Sequence, residues 1–118
     1  VKTFFNIVPE AAVYLGNRDI CSSAKSTVFN NHPDALCVSG LTAGTRTDSA
    51  LLKRVKETVP DTVVLANTGV CLENVEEQLS IADGCVTATT FKKDGVFANF
   101  VDQARVSQFM EKVHHIRR

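Results

Sequence analysis

Four times along this chain a short, nearly unbroken apolar run is followed by a stretch whose apolar residues recur at helical spacing. That alternation restricts the fold more than any other feature. The runs are Lys2–Val8, Ala35–Ser39, Thr62–Ala66 and Cys85–Thr89. Runs of this length without polar alternation fit strands buried on both faces. Strands of that kind joined by helices run parallel, with right-handed crossovers and helices covering the sheet.

The helical stretches carry their own start and stop signals. Asp19 is placed to cap a helix reaching about Asn31, with Ile20, Ala24 and Val28 four residues apart, and His32-Pro33 stops it. Asp48 or Ser49 opens a second helix that sets Leu52, Val55 and Val59 on one face and ends at Pro60. Lys53, Arg54, Lys56 and Glu57 mostly face water there. A short helix from about Leu72 to Ser80 presents Leu72, Val75 and Leu79. Asp102 caps the last helix, in which Val106, Phe109, Met110 and Val113 follow the amphipathic rule. Residues Gly40–Thr47 and Thr90–Asp102 read as loops, and Asp83-Gly84 as a turn.

At 118 residues and 44% hydrophobic content the chain suits a single domain spanning residues 1–118. Thirteen basic and thirteen acidic side chains cancel. A nucleic-acid or membrane-surface binder needs a basic excess, so no nucleic-acid partner is expected. No apolar run reaches the roughly 20 residues that cross a bilayer, so membrane insertion is not expected either. The N-terminus lacks a signal-peptide layout. Cys21, Cys37, Cys71 and Cys85 form no Cys-x-x-Cys pair. They read as reduced thiols of a cytoplasmic protein, a disulfide being the alternative. No metal-ligand spacing, P-loop or Gly-x-Gly-x-x-Gly occurs, so no metal and no cofactor are expected.

Four βα units admit two closures. One is a flavodoxin-like open sheet; the other is half of a (β/α)₈ barrel, the TIM barrel. An open doubly wound sheet tends to carry acidic or Gly-rich ligand motifs after its first strand. Here that strand ends Asn6-Ile7-Val8-Pro9, and the informative loops follow the third and fourth strands. This favours the half-barrel.

Those last two units carry a family resemblance. Asn67-Thr68-Gly69-Val70-Cys71-Leu72-Glu73-Asn74-Val75 resembles the pattern G-S-G-V-T-x-E-N-V. Ala82-Asp83-Gly84, followed by Thr87-Ala88-Thr89-Thr90-Phe91-Lys92-Lys93-Asp94-Gly95, resembles A-D-G and then V-G-T-S-x-K-x-D-G. Asn99-Phe100-Val101-Asp102 with Arg105-Val106 resembles N-P-V-D-x-x-R-V. Leu15-Gly16-Asn17-Arg18 and Ser39-Gly40 fit as well. Together these patterns resemble the BtpA family along essentially the whole chain. Among the departures from them, Ala88 stands where the family has Gly and Cys71 where it has Thr, and the first-strand loop, Val8-Pro9-Glu10-Ala11-Ala12, lacks a His often present in the family.

The resemblance implies a TIM barrel related to phosphate-binding enzymes, of which this chain would be strands five to eight, the C-terminal half. It also implies a phosphorylated small molecule, such as a sugar phosphate, as ligand. The family's name comes from photosystem biogenesis, so a non-catalytic assembly factor is the alternative. In barrels of this type phosphate sits at the loops after strands seven and eight. Here that assigns phosphate binding to Asn67, Gly69, Val70, Thr89, Thr90 and Lys92. Glycine lets backbone N–H groups approach the ligand, and lysine adds a point charge. Gly69 as a mere turn residue is the alternative.

Asn6, Ser39 and Asn67 end strands on the carboxyl side, the rim where barrel sites lie. Thr42 and Arg46 belong to the loop after the second strand and extend that rim, Arg46 as an anion contact. Turn formation and strand-end capping are the competing reading. Glu10 follows the first strand and is a candidate acid or base. Cys71 sits near a helix start, without a neighbouring histidine in sequence, and reads as a packed residue. His32, His114 and His115 read as surface residues. No catalytic residue is identified. A half-barrel has two unpaired sheet edges, which predicts either a homodimer or pairing with the missing half-barrel.

Overall fold

The computed structural model describes residues 1–10, 12–40 and 45–118. Four strands, β1 (Phe4–Val8), β2 (Ala35–Ser39), β3 (Val63–Asn67) and β4 (Gly84–Val86), alternate with α1 (Ile20–Asn31), α2 (Ser49–Thr58), α3 (Val75–Ile81) and α4 (Gln103–Ile116). All strand pairs are parallel, and the sheet order is β1-β2-β3-β4. A flavodoxin-like sheet has its first strand between the second and third. This order instead adds each strand beside the last, as successive units of a barrel do.

The strand alternation sorts side chains onto two faces. Ile7, Leu36, Val38, Val64 and Ala66 form one buried layer with Ala24 of α1, Leu52 and Val55 of α2, Val75 and Leu79 of α3, and Phe109 of α4. Helices adjacent in sequence pack against each other, α1 on α2, α2 on α3 and α3 on α4. All four therefore cover the same side of the sheet. The opposite side is partly bare: Phe4, Val63 and Val86 are 60%, 44% and 45% exposed.

Local signals hold the helix ends. Asp19 accepts the N–H groups of Cys21 and Ser22, Asp48 that of Leu51, and Asp102 those of Ala104 and Arg105. Each satisfies donors that have no partner inside the helix. His32 takes a left-handed conformation at φ 46° and closes α1 ahead of Pro33.

Several expected boundaries move. β1 starts at Phe4 because Lys2 and Thr3 are tied to Asp34, through an ion pair at 2.8 Å and a backbone N–H donated at 2.8 Å. α3 begins at Val75, not Leu72. The Asn74 side chain accepts the Cys71 N–H and donates to the Gly69 carbonyl, both at 2.9 Å, and this holds a turn ahead of the helix. β4 includes Gly84 and stops at Val86. Thr87 then donates its hydroxyl to the Val70 carbonyl at 2.7 Å, and the chain leaves the sheet for a single 3₁₀ turn at Thr89–Phe91. The following segment is organised: a second 3₁₀ turn covers Lys93–Gly95, and Lys92 pairs with Val101 in an antiparallel bridge.

Lys56 differs from its solvated expectation. Its ammonium donates to the carbonyls of Pro60 and Thr62 and to Asp83 Oδ2 at 2.7 Å, while Asp83 also accepts the Val64 N–H at 2.8 Å. The Ala82-Asp83-Gly84 motif thus anchors the start of β3 to α2, at the end of the sheet away from the rim. Partial burial pushes the Asp83 carboxyl up. The Lys56 and Val64 hydrogen bonds, with the positive charges of Lys56 and Arg117, outweigh it, so the group titrates below its usual range.

A lowered folded-state pKa stabilises the fold fully above the unfolded value of about 3.9. That contribution is lost as pH falls through the folded value. The Asp83 side chain is 39% exposed, and solvent screening holds the gain to about 0.5–1 kcal/mol. Asp83→Asn is expected to lower the melting temperature at neutral pH, with the deficit shrinking once acid protonates the wild-type carboxylate. Equal deficits at neutral and acid pH would remove the Asp83 charge from this account.

Candidate functional site

Side chains and backbone at the carboxyl ends of β3 and β4 line a cavity of about 330 Å³. Its wall is made by residues 67–71 and 86–90, completed by Glu10 and Phe97. Glu10 belongs to the segment after β1, at the opposite edge of the sheet. Glu10 nevertheless lines the same cavity as the ends of β3 and β4. The carboxyl ends of parallel strands are where α/β proteins place their ligands.

The turn after β3 is held by backbone that few side chains tolerate. Thr68 and Gly69 have φ of 78° and 64°. A β-branched residue in this region is an outlier that its surroundings must enforce. Thr68 Oγ1 accepts the Gly40 N–H and donates to the Thr45 carbonyl, both at 3.3 Å. Thr47, fully buried, donates its hydroxyl to the Val38 carbonyl at 3.1 Å and the Asn67 carbonyl at 3.3 Å. Gly40, Thr45 and Thr47 are therefore joined by hydrogen bonds to the end of β3 and the turn after it. On the β4 side, Arg105 Nε donates to the Thr90 carbonyl at 2.8 Å, and Phe91 meets Phe109 edge-on with ring centroids 5.1 Å apart. α4 thus fixes the turn that carries Thr89 and Thr90.

Of the residues assigned to phosphate, Asn67, Gly69, Val70, Thr89 and Thr90 come together in this wall. Lys92 does not line it. Its backbone N–H closes the 3₁₀ turn on Thr89 and its strand segment pairs with Val101. Among the described residues, the backbone N–H groups of Gly69, Val70, Thr89 and Thr90 take no acceptor. The Glu10 carboxylate likewise has no hydrogen bond or ion pair among them. Backbone donors without protein acceptors must be met by solvent or ligand.

The rim residues separate into two places. Asn6, Ser39 and Asn67 join in a row across three strands: both Asn side chains donate Nδ2 to Ser39 Oγ at 2.9 Å, and Ser39 donates to Asn6 Oδ1 at 3.2 Å. Arg46 lies elsewhere. Its guanidinium pairs with Glu77 of α3 and donates to Ser49 of α2 at 3.0 Å, while Ser49 donates to Glu77 at 2.6 Å. Its charge is spent joining two helices. Thr42 lies outside the described residues.

Cys71 lines the cavity but precedes α3. Burial pushes its thiol up, and a hydrogen bond to the Glu73 carboxylate adds to this. The thiol stays protonated at neutral pH and is a poor nucleophile. All four cysteines carry free thiols. No three His, Cys, Asp or Glu side chains gather as a metal set among the described residues. Thr68, Thr87 and Phe97 line the cavity without having been singled out from sequence. The two threonines sit inside the quoted motifs beside Gly69 and Ala88, a readable signal. Phe97 had none. No helix among the described residues is long and apolar enough to cross a membrane.

The chain is similar to three longer proteins. It is 98% identical over all 118 residues to SgcQ, an sgc region protein of Escherichia coli (strain K12), and covers 44% of it. It is 32% identical over 99 residues, 84% of this chain, to the protein MJ1115 of Methanocaldococcus jannaschii and covers 38% of that protein. It is 24% identical over 111 residues, 94% of this chain, to the photosystem I biogenesis protein BtpA of Synechocystis sp. and covers 39% of it. The chain thus spans less than half the length of the curated relatives it matches. The BtpA family model matches residues 1–115, nearly the full sequence, and the motifs of the β3 and β4 units lie within that span. The chain belongs to the BtpA family.

Proposed function

We propose that the cavity at the ends of β3 and β4 binds the phosphate of a phosphorylated small molecule, such as a sugar phosphate, and that the chain contributes this half-site to a larger barrel. The carrying observation is the set of four backbone N–H groups, at Gly69, Val70, Thr89 and Thr90, that take no acceptor among the described residues and lie around one cavity. Successive backbone donors at a turn make an anion-binding concavity. The left-handed Thr68-Gly69 backbone is the kind of enforced conformation that functional sites hold. The strand order supports the barrel, and the share of the relatives covered supports a remainder that completes it. A relation to phosphate-binding barrels, which the family resemblance implies, would make isomerase, lyase or hydrolase chemistry the matching reaction classes. The catalytic group would then come from the remainder.

An amide-shift titration with inorganic phosphate and a panel of sugar phosphates tests this. Saturable shifts at Gly69, Val70, Thr89 and Thr90 are expected at millimolar ligand or below. Absence of shifts there would leave these loops as structural turns.

A second reading, an assembly role, has its own observation. β1 and β4 each pair on one side only among the described residues. Beside β4 a groove of about 510 Å³ is lined by Phe91, Phe109, Met110 and Val113. Unpaired strand edges beside apolar surface favour pairing with another chain, either a second copy or the missing half-barrel. A silent phosphate titration together with specific retention of a protein partner would make this reading the better one.

A further inference from the structure

We propose that Glu10 and Asn67 form a second subsite of the same cavity, one that accepts hydrogen bonds from neighbouring hydroxyl groups of the ligand, and that the buried Ser39 hydroxyl is the positioning residue that sets the Asn67 amide. This deepens the phosphate reading and rests on it.

The argument follows protons along the row of polar side chains. The Val8 backbone N–H can only donate, and it donates to Asn6 Oδ1 at 3.2 Å. That identifies the oxygen of the Asn6 amide and leaves its Nδ2 as donor. Ser39 has one hydroxyl proton, and it goes to the same Asn6 Oδ1. Ser39 Oγ then has only lone pairs left, and it accepts from both Asn6 Nδ2 and Asn67 Nδ2 at 2.9 Å. Ser39 is 2% exposed, so water does not compete for these bonds. Asn67 is thereby oriented with its nitrogen towards Ser39. Its Oδ1 has no partner among the described residues, and Asn67 lines the cavity.

The cavity wall consequently divides by hydrogen-bonding sense. Gly69, Val70, Thr89 and Thr90 offer backbone donors, which suit an anion. Glu10 and Asn67 Oδ1 offer acceptors that have no partner among the described residues, which suit hydroxyl groups and repel a second anion. A phosphate monoester of a polyhydroxylated small molecule matches both parts: phosphate at the donors, hydroxyls at the acceptors. A carboxylate in the wall also fixes the direction in which such a ligand enters, because its phosphate is repelled from Glu10. The volume of about 330 Å³ lies at the small end of the range that holds ligands, roughly 300–1,000 Å³.

The test compares three probes on this protein by calorimetric titration: inorganic phosphate, n-propyl phosphate and ribose 5-phosphate. Wild type is expected to bind ribose 5-phosphate about tenfold more tightly than n-propyl phosphate, the contribution of hydroxyls bonded to a charged acceptor. Glu10→Gln is expected to lower that ratio several-fold, because the charged acceptor is lost while Asn67 remains. Ser39→Ala is expected to do the same through Asn67, whereas a merely structural role would weaken both esters alike. Glu10→Gln alters one side chain outside the core and keeps the test open if Ser39→Ala fails to fold. An unchanged ratio in Glu10→Gln, with inorganic phosphate still binding, would overturn the hydroxyl subsite and leave the phosphate reading standing. Failure of all three probes to bind wild type would overturn the phosphate reading and the subsite with it.

Discussion

Gly69→Ala is expected to destabilise the protein by about 3 kcal/mol or more, the sum of a left-handed backbone cost and an unrelieved clash. Gly69 has φ +64°, and a Cβ there would lie 2.3 Å from the Thr45 carbonyl carbon and 2.4 Å from the Arg46 nitrogen. Both are backbone atoms, so no side-chain rotation relieves the contact. Gly40 meets the same segment, with a Cβ placed 2.1 Å from the Thr45 carbonyl oxygen. Two glycines thus clasp Thr45–Arg46 and hold Thr47 where its hydroxyl bridges β2 and β3. Urea unfolding of Gly69→Ala beside Gly16→Ala checks this, since a Cβ at Gly16 meets nothing within 4 Å. A loss at Gly69 no larger than that at Gly16 would mean that the clasp does not exist in solution.

Leu36→Ala is expected to cost about 3 kcal/mol, within the range for large-to-small changes in a packed core. Leu36 is fully buried in β2, paired with Phe5 on one side and Val64 on the other. Its side chain belongs to the layer shared with α1 and α2, where the neighbours have little room to close a void. Val63→Ala makes the informative partner. Val63 is on the side of the sheet without helices and 44% exposed, so its truncation is expected to cost under about 1 kcal/mol. A Val63 loss as large as that of Leu36 would mean that the bare side is covered in solution, and would contradict the one-sided arrangement. Chemical denaturation of the two variants decides between these outcomes.

What the sequence by itself determined about this protein is what depends on neighbours along the chain. β2 lies where its apolar run predicts, at Ala35–Ser39, and Asp19, Asp48 and Asp102 cap the helices they precede. Strand burial and helix capping are set within a few residues, so pattern suffices. The motifs of the last two units carried the family for the same reason. Tertiary structure decided what depends on residues far apart. Leu72–Asn74 is a turn because Asn74 reaches back to Gly69. Lys56 turns from solvent because Asp83 waits at the start of β4. Arg46 leaves the rim because Glu77 of α3 neutralises it. Ser39 joins Asn6 and Asn67, each about thirty residues away along the chain, because parallel pairing sets three strand ends side by side. Glu10, two residues after β1, comes to a wall built by β3 and β4 because the sheet brings its carboxyl end there. Contacts of that separation follow from how the sheet is assembled, and no local pattern of apolar and polar residues encodes them.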